Sequence, residues 1–200
     1  MVILKYIAII IVSYLLGSLN MGVLISKALP GGDVRRKGSG NAGATNMARV
    51  YGWTAGIGTL VGDMLKAAVA MIIGFRLLGE YGLAVSGICV MLGHCFPIFH
   101  GFKGGKGISV GGAISIGMGW PFAACVFGSF IIGAVATKKV SFGSLCGAVA
   151  IAVSPFIFSA PLPYRVMGVC CGILAAWRHL PNIKRLINGT EPDFKAKDSK

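Results

Sequence analysis

Charge is what this sequence has least of. Only 12% of its 200 residues are Asp, Glu, Lys or Arg, where a soluble domain carries about a quarter. An ordinary soluble globular domain is therefore excluded. Carboxylates are scarcer still, with six in the whole chain. None falls near His94, Cys95 and His100, so the ligands that would close a metal site there are missing. The six cysteines form no CxxC pair and lie inside apolar runs. They read as small buried hydrophobes rather than disulfide partners or metal ligands. There is also no GxSxG nucleophile elbow, no internal repeat and no extramembrane domain.

What is present is greasy: 55% of the residues are hydrophobic and the mean hydropathy is +0.78. That composition describes an all-α polytopic membrane protein. A net charge of +13 raises nucleic acid as a partner, but the cations sit in short clusters between apolar runs. In a membrane protein that pattern marks the cytoplasmic side. Thirty-one glycines suit helices that pack with their backbones close together. The N-terminal stretch lacks a charged n-region and an A-x-A-like site, so it reads as a retained first span.

Apolar runs fall near 2–27, 53–78, 82–100, 108–119, 121–137, 141–159 and 164–180. As one helix, 108–137 would be about 45 Å long; a turn at Gly119-Trp120-Pro121 makes it two short helices instead. The distribution of cations decides between these. Seven spans with the N-terminus outside place fifteen Lys and Arg on the cytoplasmic side against three outside, Lys5, Arg76 and Arg165. A single crossing gives eight against ten. Seven spans are expected, with residues 1–193 as one unit and 194–200 as a polar C-terminal tail.

That orientation brings three polar segments to one face. The first, RRKGSGNAGATNMAR at 35–49, is free of bulk and rich in hydrogen-bonding groups. Gly38 to Gly43 match G-x-G-x-x-G, but no strand precedes them, so the dinucleotide reading fails. What survives is an anion cradle. Gly38 and Gly40 let backbone N–H groups close on phosphate oxygens. Ser39, Asn41, Thr45 and Asn46 add neutral partners, and Arg49 can grip two oxygens at once. The second segment, GHCFPIFHGFKGGKG at 93–107, offers Lys103, Gly104, Gly105 and Lys106. It is no P-loop, since Gly107 stands where Ser or Thr should hold magnesium. The third, RHLPNIKRLINGTEPD at 178–193, carries His179, Asn182, Lys184, Arg185 and Glu191. A basic amphipathic helix resting on anionic lipid is the competing reading of Lys184.

Asp63 and Lys66 lie mid-span in GTLVGDMLKAAVA, at i and i+3, where they share a helix face and can pair. Ionisable groups inside a span are functional candidates by default. Here the pair is expected to support the site, as is Glu191. Two anion cradles at the face of a greasy bundle point to two phosphorylated substrates, at least one with a hydrocarbon tail. The H-x-x-x-x-D pair of soluble glycerolipid acyltransferases is absent, because Phe99, Gly105 and Lys184 stand five residues beyond the three histidines.

GSGNAGATNMAR, GHCFPIFHGFKGGKG and RHLPNIKRLINGTE together resemble, in order, the three signature blocks of the bacterial acyl-phosphate-dependent glycerol-3-phosphate acyltransferases. The resemblance spans about residues 1–193. It implies a seven-helix enzyme of the bacterial inner membrane with its active site facing the cytoplasm. Such an enzyme moves a fatty acyl group from acyl phosphate to the 1-hydroxyl of glycerol 3-phosphate. Neither a cofactor, a metal nor a direct acyl-CoA donor is expected, and the partners are the two substrates and membrane lipids. Ser39, Arg49 and Lys106 would act on the reacting groups. His179, or else the departing phosphate, would take the hydroxyl proton. Transport or scrambling of phosphorylated solutes or lipids is the alternative. It is disfavoured because transporters place ionisable sites near the midplane between repeats.

Overall fold

The computed structural model describes residues 1–193; the polar tail expected at 194–200 lies outside them. Among the described residues the regular elements are all helical. The chain opens with α1, Val2–Ser18, and α2, Met21–Ala28. The first apolar run is thus broken where it reads as continuous. The cause is polar: Asn20 caps α2 by accepting a hydrogen bond from Val23 N at 3.2 Å. The last carbonyls of α1 find a partner outside the helix, the Lys66 ammonium, on Gly17 O at 2.9 Å and Leu19 O at 2.8 Å.

A loop leads to α3, Ala44–Tyr51. The next helical stretch, α4, runs from Trp53 to Cys95 but is not straight. Leu78 (φ −144°) and Gly79 (φ +57°, ψ −141°) leave the helical region. In an unbroken helix residues eight apart are about 12 Å distant. Here a Cβ built on Gly74 would lie 2.3 Å from Gly82 O. The two halves therefore fold back on each other as a helical hairpin, with glycines at the closest approach.

Beyond the 96–107 loop come α5, Ile108–Met118, and α6, Trp120–Thr137. Gly119 separates them at φ +129°, a conformation that a side chain would strain. At 11 residues α5 is about 16 Å long, half the thickness of a bilayer core. Seven of its residues are buried against α4, α6, α7 and α8, which shields most of its length from lipid. α7, Val140–Ile157, and α8, Leu162–Arg178, follow, and α9, Leu180–Ile187, closes the fold.

Met91, Val90, Ile114, Met167 and Ile151 form the centre of the bundle. The outer surface is just as apolar, with Leu65, Ile72, Ile132, Val149 and Ile173 all exposed. A face of this extent is not left to water. Four stretches, Val2–Ala28, Trp53–His100, Trp120–Thr137 and Val140–Ile157, are long and apolar enough to cross a membrane.

Candidate active site

The three polar segments converge at one end of the bundle, around a cavity of about 540 Å³. Asn46 organises the first segment. Its Oδ1 accepts from Ser39 N at 2.9 Å, and its Nδ2 donates to the carbonyls of Val34, Lys37 and Asn41. Those four bonds commit its amide to backbone groups, so Asn46 shapes the cradle from within. A Cβ on Gly38 would strike Asn46 Oδ1 at 2.3 Å, which explains the bare residue there. The loop so held turns Ser39, Asn41, Thr45 and Arg49 to the cavity wall. Gly38 and Gly40 shape the turn at positive φ without lining it. Arg35 has another task, bridging Asp33 at 2.7 Å to the carbonyls of His100 and Lys103. It ties the first segment to the second.

In the second segment Gly104 N donates to Cys95 O at 3.3 Å and Gly105 N to His94 O at 3.1 Å. From the other side Arg178 donates to the carbonyls of Gly105 and Gly104, each at 3.2 Å. Neither glycine can carry a side chain. A Cβ at 104 would meet His94 O at 2.0 Å, and one at 105 would meet His94 Nε2 at 2.1 Å. This double clamp fixes where the next residue, Lys106, enters the cavity. Lys103 is exposed and stays outside the lining.

The third segment begins at the junction of α8 and α9. His179 is buried, and its Nδ1 lies 2.7 Å from Ala175 O. A carbonyl only accepts, so Nδ1 carries the proton and Nε2 keeps a lone pair. Asn182 accepts from Lys106 through Oδ1 and donates to Glu191 Oε1 at 2.7 Å. Glu191 Oε2 takes Arg185 Nε at 2.6 Å. Buried Glu191 thereby positions both Asn182 and Arg185, while Lys184 points to solvent. Burial pulls the Lys106 ammonium down to about 8; Glu191 opposes this, and Arg185, Arg178 and Arg49 add to it. Burial likewise brings His179 down to about 4, against the bond to Ala175 and helped by Lys106.

Away from this cationic end the cavity is apolar, walled by Ile57, Leu60, Met64, Phe127, Phe130 and Ile131. One continuous space therefore joins a cluster of fixed cations and neutral donors to a hydrocarbon-like channel. That pairing suits anionic head groups bearing a long tail, and little else.

Comparison with known proteins agrees with the geometry. The glycerol-3-phosphate acyltransferase family model matches residues 7–189. The chain belongs to the glycerol-3-phosphate acyltransferase family. A relative from Symbiobacterium thermophilum, a glycerol-3-phosphate acyltransferase, is 37% identical over 94% of each chain. Another from Halalkalibacterium halodurans is 38% identical over 91% of this chain and 92% of its own. Two crystal structures of PlsY, an integral membrane glycerol 3-phosphate acyltransferase, share the fold. The glycerol 3-phosphate form superimposes with a TM-score of 0.90 at 32% identity, over 95% of this chain and 96% of that one. The lysophosphatidic acid form gives 0.87 at 31% identity, over 95% of each. Like its family, the chain is an integral membrane acyltransferase.

Asp63, Lys66 and His94 form a buried group behind the second segment. Lys66 Nζ is 2.8 Å from Asp63 Oδ1 and 3.1 Å from His94 Nδ1. Neither Asp63 nor Lys66 lines the cavity, whereas His94 does. Sequence reasoning passed His94 over, having weighed it only as a metal ligand and as the histidine of an H-x-x-x-x-D pair. Its signal lay in the pattern: an ionisable residue inside an apolar run, directly before the glycine-rich loop.

Proposed function

We propose that the protein transfers a fatty acyl group from acyl phosphate to the 1-hydroxyl of glycerol 3-phosphate. The products are lysophosphatidic acid and inorganic phosphate, as in the first step of phospholipid assembly. The single observation that carries this reading is the join of cationic end and apolar channel in one cavity. An acyl phosphate is an activated mixed anhydride, so no protein nucleophile is required. The protein's tasks are to position the substrates, to balance about four negative charges and to meet the tetrahedral oxyanion.

Ser39, Asn41 and Lys106 take one phosphate; Thr45, Arg49 and Arg185 take the other, with Asn182 aligning Lys106. The hydroxyl oxygen attacks the acyl carbon, the bond from that carbon to the bridging oxygen breaks, and phosphate departs. The hydroxyl proton goes to the free Nε2 of His179, a residue of the cavity wall. Binding two phosphate anions offsets the surrounding cations and raises the basicity of His179 as the reaction needs. His179→Ala lowers kcat about 100-fold at every pH from 6 to 9, the contribution of a positioned general base. Retention of most turnover would assign the proton to the departing phosphate instead.

The depressed Lys106 gives a pH dependence of definite sign. It is half charged at about 8, more so below and less so above. KM for glycerol 3-phosphate therefore rises as the pH climbs from 7 to 9, and Lys106→Arg flattens that rise, arginine remaining charged throughout. Initial rates at fixed ionic strength check both.

Residues 1–193 act as one unit crossing the membrane seven times, the hairpin of α4 supplying two crossings. The N-terminus is outside and the site faces the cytoplasm of the bacterial inner membrane, in keeping with fifteen cations on that side against three. Single cysteines at residue 2 and in the 138–139 turn, tested with an impermeant maleimide on intact cells, check the orientation. Label at residue 2 alone agrees with it; label at the turn alone reverses it. For the reaction, palmitoyl phosphate yields lysophosphatidic acid with the purified protein and palmitoyl-CoA yields none. Turnover of the thioester would overturn the choice of donor.

A further inference from the structure

His94 sits near the end of α4 with its ring on the cavity wall and 2% of its surface exposed. Its two nitrogens have opposite surroundings. Nδ1 faces Lys66 Nζ at 3.1 Å and lies 3.5 Å from Asp63 Oδ1. Lys66 is held in place by Gly17 O, Leu19 O and Asp63 Oδ1, all within 2.9 Å. A proton on Nδ1 would point one donor at another beside a fixed ammonium. The ammonium's own three N–H groups are taken by Gly17 O, Leu19 O and Asp63 Oδ1, and Asp63 Oδ1 is the one acceptor for an Nδ1 proton, at the limit of reach. A lone pair on Nδ1 faces the ammonium's charge instead. The ring proton is thereby assigned to Nε2.

Nε2 has no hydrogen-bond partner among the described residues, and it is not sealed off. The position that would cover it is occupied by Gly105, where a Cβ would stand 2.1 Å away. The bare glycine keeps Nε2 accessible beside the residue that delivers Lys106. His179 shows the reverse arrangement on the same cavity, with Nδ1 protonated by its contact to Ala175 O. One histidine accepts and the other donates.

We propose that His94 is a substrate-contacting residue whose Nε2–H, fixed by Lys66, donates a hydrogen bond to an anionic oxygen of the bound substrates. That oxygen is either on the phosphate of glycerol 3-phosphate or on the acyl carbonyl as it becomes an oxyanion. The proposal rests on the acyl-transfer reading above. Asp63 and Lys66 act through His94 as positioning residues.

Two substitutions separate this role from a structural one. His94→Asn keeps a polar atom at the place of Nδ1, against Lys66, and removes the donor. His94→Gln keeps an N–H near the place of Nε2. The donor role predicts that His94→Asn loses about 10- to 100-fold in kcat/KM while His94→Gln stays within about fivefold of the unaltered protein, one charge-assisted hydrogen bond separating them. A purely structural role gives the opposite order or equal losses, and either result overturns the proposal. A loss confined to KM for glycerol 3-phosphate places the oxygen on that phosphate; a loss in kcat at constant KM places it on the oxyanion. Nitrogen-15 spectra of the unaltered full chain, labelled at histidine, decide the tautomer without any variant. A protonated Nε2 at His94 supports the proposal and a protonated Nδ1 overturns it. If the unaltered protein turns over no palmitoyl phosphate, the acyl-transfer reading fails, while the spectrum still settles the tautomer.

Discussion

Lys106→Ala lowers kcat/KM for glycerol 3-phosphate about 10³-fold while the thermal midpoint in detergent stays within about 2 °C. The activity loss reflects where the charge sits. Lys106 enters the cavity half-buried, held on Asn182, with its approach fixed by the clamped glycines before it. A preorganised cation in a site with little water is worth far more than one on a surface, and removing a single such donor costs about 10²–10³-fold in rate. Substrate binding suffers as well, because fewer fixed cations then face about four negative charges. Stability is little changed because the ammonium's attraction to Glu191 and its bond to Asn182 are offset by repulsion from Arg185, Arg178 and Arg49, which eases on its removal. Steady-state rates over a range of glycerol 3-phosphate concentration, set beside a melting curve, test both halves. A loss of less than tenfold would remove Lys106 from the reacting centre.

Lys66→Met acts on stability as well as on the positioning of His94. It destabilises the protein by about 3–5 kcal/mol, the usual cost of leaving one partner of a buried ion pair alone. The thermal midpoint then falls by roughly 10 °C for a chain of this size. Lys66 is 5% exposed and Asp63 fully buried, so no water replaces the lost ammonium. The carbonyls of Gly17 and Leu19, at the break between α1 and α2, lose their donor at the same time. The double variant Asp63→Asn/Lys66→Met removes the stranded charge and recovers about half of the loss. Thermal unfolding of the three proteins in one detergent measures this. Equal midpoints for the single and double variants would show that Asp63 is not left as an unpaired charge.

The bundle was legible because its long helices follow apolar runs and most breaks between them carry their own chemical sign. Gly119-Trp120-Pro121 divides 108–137 into α5 and α6, and the change of hydropathy after residue 78 coincides with the fold in α4. The break inside 2–27 was hidden, since Leu19-Asn20 interrupts an apolar run only when Asn20 caps α2 and Lys66 arrives from 47 residues away. Periodicity holds no record of such a distant partner.

The site divides along the same line. Residue types disclosed Ser39, Arg49, Lys106 and Arg185, because small polar and basic groups among glycines have few other uses at a membrane face. They could not tell that the Asn46 amide is committed to backbone groups while the Asn41 side chain is not. Nor could they tell Lys103 from Lys106, three residues apart, of which one stays outside. Orientation decides both, and orientation comes from long-range bonds such as those of Arg178 to Gly104 and Gly105. Asp63 and Lys66 were visible as a pair through their spacing. Their connection to His94, across a fold in the helix, was not.

The central claim is that one cavity couples breakdown of an acyl phosphate to acylation of glycerol 3-phosphate. The direct measurement is phosphate release by the detergent-purified protein given palmitoyl phosphate, with and without glycerol 3-phosphate. The predicted result is release that depends on the acceptor, with one phosphate formed for each lysophosphatidic acid. Equal release in the absence of glycerol 3-phosphate would contradict the account, because water would then serve as acceptor and the second anion site would have no task.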